Sequence, residues 1–279
     1  MNPKVGHPGI IPDGYGLSEA AYAWGYALRV RYSSFFRATL NWLVHHSEEL
    51  IAADNPRLLS LGCGNGAFDI EFMDWLSARN KRFQFLGVDF NASELEQFRT
   101  ALSSRDASFR ARTSLCYMKY HASTRFEGRF HVIYMLHFLH SFAEVMPAIR
   151  NALGHLAQGG KLVIVQQKSG GVYDLKQEFK GMLRNPRLYS AEEIEELLRT
   201  EQVAFSSYTI DSYFDISIMR QMSLDALLLM SFCFADDLAL LDTKQQEEIR
   251  AAFLACARPG ADGVPVIYEP MEAIVCEAS

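Results

Sequence analysis

The stretch RLLSLGCGNGAFDIEFMDWL, residues 57–76, decides the fold. In it an apolar run ends at Leu61, glycines follow at Gly62, Gly64 and Gly66, and apolar residues at helical spacing resume at Phe68. A strand, a glycine-rich turn and a helix in this order are typical of units that bind nucleotide-like ligands, because a backbone without Cβ atoms can approach the ligand beside the helix N-terminus. The stretch therefore predicts an α/β sheet with a ligand site at these glycines.

Strands and helices alternate from this turn onward. The apolar runs predict strands at 58–61, 83–88, 108–112, 130–135 and 161–166. Between most of them lie helical patterns, at 67–78, 92–103 and 142–157. The sequence QGG, residues 158–160, indicates where the last of these helices stops. Such alternation is typical of a doubly wound, mostly parallel sheet.

The flanking segments extend the same unit. Residues 17–50 predict one long or two shorter amphipathic helices, and Ser190 with Glu193 forms a capping-box pattern that opens a later helix. Beyond it the sequence predicts strands at 203–217 and 264–278, and helices at 224–235 and 244–257. No repeat or low-complexity linker separates these parts. We therefore expect a helical extension (1–56), a ligand-binding core (57–167) and a C-terminal part of the same domain (168–279).

Composition and charge exclude several classes of protein. The chain has 279 residues and a formal net charge of −6, with scattered Lys and Arg residues, which disfavours nucleic acid as a partner. Its five cysteines are far apart, so their spacing indicates neither a metal site nor a disulfide framework, and a reducing compartment fits best. No segment resembles a signal peptide or a membrane span. We expect a cytoplasmic protein, monomeric or homodimeric, that binds no membrane.

An acidic residue ends the second predicted strand. Asp89 can accept hydrogen bonds from both hydroxyls of a ribose, and its charge would repel a phosphate attached to either. Together with the glycines it predicts an adenosine pocket. The glycines do not identify the ligand, because Gly62, Gly64 and Ala67 also satisfy the GxGxxG/A pattern of dinucleotide-binding proteins. A nicotinamide-dependent oxidoreductase would use the same residues.

The order of several motifs resembles a known family. The sequences LLSLGCGNGAFDIEF, FLGVDF, FHVIYMLHFLHSF and GGKLVIV, within residues 57–167, resemble class I methyltransferases that use S-adenosylmethionine. VIYMLHFLHSF, QQKSGGVYDLKQEFKG, IDSYFDIS and IYEPMEAIVCEA are similar, in order, to the histamine N-methyltransferase family. This resemblance implies a Rossmann-like fold, in which a mostly parallel seven-stranded sheet carries helices on both faces and an antiparallel C-terminal strand.

The resemblance also implies a cofactor site. The cofactor would be S-adenosylmethionine, with S-adenosylhomocysteine as product, and the reaction requires no metal. The loop at Gly62 would face the methionine part, Asp89 the ribose, and Leu136 the adenine or the sulfur. The cofactor-binding residues expected in this way are Gly62, Gly64, Gly66, Asp89, Phe90 and Leu136. One of Thr113, Ser114 and Ser123 would meet the adenine.

The acceptor site follows from the same resemblance. His137 stands where the family has a glutamine that hydrogen-bonds the acceptor ring, and Glu269 where an asparagine touches it. Arg29 and Arg31 stand near the place of a family glutamate, which favours an acceptor that bears a carboxylate, unless both arginines lie on the solvated helix face. The remaining candidates for contact with the acceptor are Tyr15, His140, Tyr173 and Asp215.

These residues predict transfer of a methyl group to a nitrogen of a small molecule, such as an imidazole, another heteroaromatic compound or an amine. His137 could hydrogen-bond the acceptor while neutral, or remove a proton as a general base. The second role suits methylation of a phenol or carboxylate oxygen, which is the alternative within the same class. An NAD-dependent oxidoreductase and a non-catalytic binding protein are the alternatives outside it.

Overall fold

The computed structural model describes residues 16–79, 81–184 and 189–277. Where residues 17–50 predict one long or two shorter helices, it has three: α1 (Glu19–Tyr32), α2 (Phe35–His45) and the one-turn α3 (Ser47–Leu50). Ser18 caps α1 by accepting a hydrogen bond from the backbone N–H of Ala21 at 3.3 Å. These helices precede the first strand of the sheet and cover part of it.

Alternating strands and helices follow. They are β1 (Arg57–Leu61), α4 (Ala67–Ala78), β2 (Gln84–Asp89), α5 (Ala92–Ser103), α6 (Ala107–Ala111), β3 (Thr113–Tyr117), β4 (Phe130–Leu136), α7 (Met146–Leu153) and β5 (Leu156–Gln167). The helices predicted at 67–78 and 92–103 are confirmed to the residue.

The last third of the chain adds helices and a second set of strands. They are α8 (Val172–Glu178), α9 (Ala191–Thr200), β6 (Phe205–Ile210), β7 (Tyr213–Asp215), α10 (Leu224–Phe234), α11 (Thr243–Ala255), β8 (Arg258–Pro259), β9 (Pro265–Tyr268) and β10 (Met271–Glu277). The predicted capping box is present, because the Ser190 hydroxyl accepts from the N–H of Glu193 and the Glu193 carboxylate accepts from the N–H of Ser190.

The main sheet has seven strands in the order β3-β2-β1-β4-β5-β10-β6. Neighbours from β3 through β5 are parallel, whereas β10 runs antiparallel to both β5 and β6. This confirms the predicted fold: a mostly parallel sheet with an antiparallel C-terminal strand. Because the chain reverses its direction of winding between β1 and β4, the carboxyl ends of these strands leave a crevice in which ligands of such sheets bind.

Between residues 100 and 160, one predicted element was wrong and another was too long. Residues 108–112, predicted as a strand, lie instead in the short helix α6 and the residue that follows it. The Asp106 carboxylate caps this helix, and the strand β3 begins at Thr113. The helix predicted at 142–157 is confined to Met146–Leu153, and residues 158–160 lie inside the long strand β5 instead of stopping a helix. Apolar content could not distinguish a short helix from a strand here.

The predicted strands at 203–217 and 264–278 each divide in two. Their outer halves, β6 and β10, belong to the main sheet, and their inner halves, β7 and β9, form a smaller three-stranded sheet with β8. Both segments bend at the same place, where the N–H of Glu269 donates to the Ser212 carbonyl at 2.9 Å and the Ser212 hydroxyl donates to the Glu269 carbonyl. The bend turns Glu269 toward the crevice of the main sheet.

Three apolar clusters form the core. One lies on each face of the main sheet, and the third joins α1, α8, α10, α11 and the small sheet. Helix α1 packs along α10 so closely that a Cβ on Gly25 would lie 2.7 Å from Cβ of Phe232. The pair α1 and α10 therefore forms a fixed wall over the carboxyl ends of the strands.

Candidate active site

A cavity occupies the crevice at the carboxyl ends of β1, β2 and β4. Its floor includes the glycine turn after β1, and its walls come from α1, α2 and α10. The aromatic side chains in these walls are Tyr22, Tyr26, Phe35, Phe36 and Phe232. At helical spacing such residues are more often core residues, so the sequence pattern did not distinguish them as cavity residues.

The three glycines of the turn have different surroundings. Gly62 and Gly64 line the cavity, whereas Gly66 lies outside the cavity lining, at the N-cap of α4. A Cβ on Gly62 would lie 2.3 Å from the Phe138 ring, and one on Gly66 would lie 2.2 Å from the Phe98 ring. On Gly64 it would meet only Glu94, at 3.7 Å. Of the three, Gly64 is therefore the one whose missing side chain is not explained by packing, although its φ of +51° itself favours glycine.

Asp89 connects the turn to the end of β2. Its carboxylate accepts hydrogen bonds from the N–H of Gly64 at 2.9 Å and from the N–H of Asn91 at 2.8 Å. It lines the cavity beside Phe90, and burial raises its pKa. Each carboxylate oxygen has further acceptor capacity, so these contacts leave Asp89 able to accept from a ribose hydroxyl.

Two further carboxylates lie at this end of the cavity. Asp69, in the first turn of α4, accepts a hydrogen bond from the Tyr134 hydroxyl at 2.6 Å, and burial raises its pKa to about 6. Burial and the nearby charge of Asp89 raise the pKa of Glu94, in the first turn of α5. Sequence analysis missed both, because an acidic residue in the first turn of a helix is common for reasons unrelated to ligands.

His137 follows the end of β4 at the other end of the cavity. Its backbone φ is +50°, in the left-handed region that residues other than glycine rarely adopt. Burial, together with the charge of Arg29 and the nearby His140, lowers its pKa to about 3, so the imidazole is neutral at pH 7. Its Nε2 is buried and has no hydrogen-bond partner among the residues described, and its ring meets Phe35 edge-on at 4.8 Å.

A buried ion pair lies near His137. Arg29, on α1, pairs with Glu269, whose side chain is only 1% exposed. The Gln167 amide donates to the other oxygen of Glu269 at 2.6 Å, and the Arg29 guanidinium lies 4.3 Å from the centre of the Phe214 ring. The predicted cation and anion therefore meet inside the cavity and balance each other. Gln167, at the end of β5, had no distinguishing pattern in the sequence.

The other predicted acceptor residues divide between cavity and surface. His140 lines the cavity, and burial lowers its pKa to about 4. Arg31 is exposed and its guanidinium lies 5.5 Å from the Tyr32 ring centre, on the outer face of α1. Among the predicted pair of arginines only Arg29 thus faces the cavity.

Three more predictions fall away from the cavity lining, and one cannot be placed. Tyr173 donates to the Glu193 carboxylate at 3.2 Å, although its neighbour Val172 lines the cavity. Asp215 accepts from the N–H of Ser217 at 2.7 Å, within the small sheet. None of the candidates for adenine contact lies among the cavity residues described: Thr113, Ser114 and Ser123. Tyr15 lies outside the described residues.

Within the described ranges, no group of three or more His, Cys, Asp or Glu side chains is placed to hold a metal ion. In the same ranges, no helix has the length and apolar character needed to cross a membrane.

The residues at the glycine end fit S-adenosylmethionine. Three carboxylates, from the buried Asp69 and the half-buried Asp89 and Glu94, line one end of the cavity. A sulfonium cofactor with an ammonium group supplies positive charge there, whereas the pyrophosphate of a dinucleotide would add negative charge to these carboxylates. The observed charges therefore agree with the cofactor expected from the sequence and disfavour NAD.

Three solved structures share the fold. A candidate methyltransferase of Bacillus halodurans aligns with a TM-score of 0.57 at 10% identity, over 85% of this chain and 98% of its own. Phosphoethanolamine N-methyltransferase 2 of Haemonchus contortus, crystallised with phosphomonomethylethanolamine and S-adenosylhomocysteine, aligns with a TM-score of 0.52 at 16% identity, over 85% of this chain and 52% of its own. The plantazolicin methyltransferase BamL, crystallised with a triazolic desmethylPZN analogue and S-adenosylhomocysteine, aligns with a TM-score of 0.52 at 11% identity, over 93% of this chain and 95% of its own.

Sequence comparison provides the family. No curated protein sequence matches the chain significantly. The family model of the methyltransferase domain matches residues 25–202, which is more than half of the chain and includes the glycine turn, Asp89 and His137. The chain therefore belongs to the methyltransferase domain family.

Proposed function

We propose that this protein uses S-adenosylmethionine to methylate a nitrogen of a small imidazole, heteroaromatic or amine acceptor. The cofactor occupies the end of the cavity formed by Gly62, Gly64, Asp89, Phe90 and Leu136. The acceptor occupies the end formed by α1, α10 and the residues after β4. The helices before residue 57 act as the lid of the acceptor site.

The neutral imidazole of His137 is the observation that carries the proposal. It lines the same cavity as the glycine turn, and its buried Nε2 has no hydrogen-bond partner among the residues described. An unpaired buried polar atom costs free energy unless a ligand satisfies it. A left-handed backbone at a residue other than glycine is itself more common at functional sites than elsewhere. A ring nitrogen or amine of the acceptor is the partner that we propose for Nε2.

The low pKa of His137 favours nitrogen over oxygen as the methylated atom. A general base works best when its pKa lies near the operating pH, and the pKa of His137 is about 3. Such a group is a poor base for a phenol, whose pKa is about 10. A neutral nitrogen already offers a lone pair and needs only orientation and exclusion of water.

The buried ion pair suggests how a charged acceptor is recognised. Arg29 can bind a carboxylate of the acceptor through its planar guanidinium, while Glu269 can bind an ammonium group. The aromatic walls beside them suit a flat acceptor and favour a ring on which positive charge develops during transfer. This proposal agrees with the resemblance to the histamine N-methyltransferase family and with its amine-bearing imidazole acceptor.

The cofactor, when bound, supplies an activated methyl group on a positively charged sulfur. The protein's task is alignment: His137 holds the acceptor nitrogen, Asp89 holds the ribose, and the α1 and α10 wall excludes water. After the transfer, a proton is lost to solvent, from the methylated nitrogen of an amine or from the other ring nitrogen of an imidazole. This loss needs no strong base in the cavity.

The first experiment distinguishes between S-adenosylmethionine and NAD as the cofactor. Thermal unfolding is followed with S-adenosylmethionine, S-adenosylhomocysteine or NAD, since a ligand that binds the folded state raises the melting temperature. We expect a shift with the two sulfur compounds only. A shift with NAD only would overturn the proposal.

The second experiment tests His137 and the acceptor class. Transfer of a labelled methyl group is measured on panels of imidazoles, amines and phenols, with His137→Ala and, as control, the exposed His121→Ala. We expect nitrogen acceptors to be labelled, and His137→Ala to lose about tenfold or more in kcat/KM while binding S-adenosylhomocysteine normally. Labelling of phenols alone, or full activity of His137→Ala, would contradict the proposed mechanism.

A further inference from the structure

We propose that Asp69 binds the ammonium group of the methionyl part of S-adenosylmethionine. This inference rests on the proposed function and names a cofactor-binding residue that the motifs of the sequence did not indicate. Asp69 lines the cavity at its glycine end although the residue is only 2% exposed.

The first argument is charge. The hydroxyls of Tyr134 and Ser60 donate hydrogen bonds to the Asp69 carboxylate, and no Lys, Arg or His among the described residues forms an ion pair with it. A buried carboxylate without a cation is costly, and the N-terminus of α4 offsets only part of that cost. A ligand whose cation lies next to Asp69 offsets the rest of this free-energy cost.

The second argument is position. Asp69 lies between Ser60, on β1, and Tyr134, on β4, and Gly62 and Gly64 line the same end of the cavity. The ribose, at Asp89 after β2, and the methyl group, near His137 after β4, leave the methionyl part on the β1 side of the crevice. That side is where Asp69 presents its carboxylate.

The third argument is orientation. Tyr134 is fully buried, and its hydroxyl holds one carboxylate oxygen at 2.6 Å. The carboxylate is thus fixed by side chains from two strands and needs no rearrangement to accept from an ammonium group. Because the carboxylate is held in place, we expect Asp69 to favour ligands that carry an ammonium group over ligands that lack one.

The test compares two ligands that differ in the amino acid part. S-adenosylhomocysteine carries the ammonium and carboxylate groups, whereas 5′-methylthioadenosine lacks both. Their dissociation constants are measured by calorimetry on the wild-type protein, on Asp69→Asn and on the control Asp74→Asn, a residue of the same helix that pairs with Arg105 at the surface.

We expect Asp69→Asn to weaken S-adenosylhomocysteine at least tenfold and to change the affinity for methylthioadenosine by less than twofold, with Asp74→Asn like the wild type. Equal weakening of both ligands would show a structural role for Asp69 and overturn the inference, as would unchanged affinity. If Asp69→Asn does not fold, Tyr134→Phe takes its place and must weaken S-adenosylhomocysteine selectively. Failure of both ligands to bind the wild-type protein would instead overturn the proposed function.

Discussion

At the scale of single residues, His137 combines three unusual properties. It has a left-handed backbone, a neutral ring at pH 7 and a buried nitrogen without a partner among the described residues. The N–H of His137 donates to the Val165 carbonyl at 3.0 Å, which holds the residue against the neighbouring strand β5. The surrounding sheet therefore maintains a conformation that an isolated strand end would not adopt.

The pH dependence of stability follows from this burial. The pKa of His137 falls from 6.5 to about 3 on folding, so between these values the unfolded state binds a proton that the folded state does not. We expect His137 to reduce the free energy of unfolding as the pH decreases below 6.5, by about 3 kcal/mol at pH 4.5.

His137→Gln, which cannot titrate, isolates this contribution. Urea unfolding of both proteins at pH 7.5 and 4.5 should show that the wild type loses more stability on acidification than the variant. An equal loss in both would mean that His137 is protonated in the folded state. Other titrating groups cancel in the comparison, since both proteins share them.

At the scale of elements, the turn between β1 and α4 both packs against a neighbouring helix and lines the cavity. Gly66 is the N-cap of α4 in a left-handed conformation, and the Phe98 ring of α5 lies against it. Asp69, one turn later, points to the cavity. The turn therefore fixes the start of α4 against α5 and places the Asp69 carboxylate at the cavity.

Gly66→Ala tests the packing role of this turn. A Cβ there would lie 2.2 Å from the Phe98 ring at a φ of +72°, whereas at Gly263 the φ is +70° and no atom lies within 4 Å. We expect Gly263→Ala to cost about 1–2 kcal/mol for the backbone alone, and Gly66→Ala at least about 1–3 kcal/mol more from overpacking. Denaturant unfolding of both variants measures the difference, and equal costs would show that the Phe98 ring yields freely.

At the scale of the whole molecule, one ion pair joins the two ends of the chain. Arg29 comes from α1 and Glu269 from the bend between β9 and β10, 240 residues apart in sequence. The pair holds the wall of the cavity against the sheet. Its charges are almost completely removed from water, with side-chain exposures of 10% and 1%.

Removal of one partner should therefore be costly. Arg29→Met leaves Glu269 buried without its cation, and we expect a loss of about 3–5 kcal/mol in the free energy of unfolding. The double variant Arg29→Met with Glu269→Leu should lose less than the single one, because no buried charge remains.

The surface pair of Arg99 and Glu96 serves as the control, with side-chain exposures of 50% and 70%. Arg99→Met should change stability by less than about 1 kcal/mol. If Arg29→Met were no worse than Arg99→Met, the Arg29–Glu269 pair would not hold the wall.

Local sequence determined the framework of this protein. Apolar runs on either side of a glycine turn predicted β1 and α4, and a capping box predicted the start of α9. Asp89 was identified because it is the acidic residue that ends the second predicted strand. These signals depend only on residues that are close together in the chain, so they can be recognised in the sequence before the fold is known. The mostly parallel sheet followed from their alternation.

Tertiary structure alone decided the details of the cavity. The pairing of Arg29 with Glu269, the contact of Tyr134 with Asp69 and the approach of Phe232 to α1 join residues far apart in the chain. The same reason explains why 203–217 and 264–278 divide between two sheets, since their bend depends on contacts between Ser212 and Glu269. Burial and charge balance arise only when these segments meet, and they decide which polar residues line the cavity.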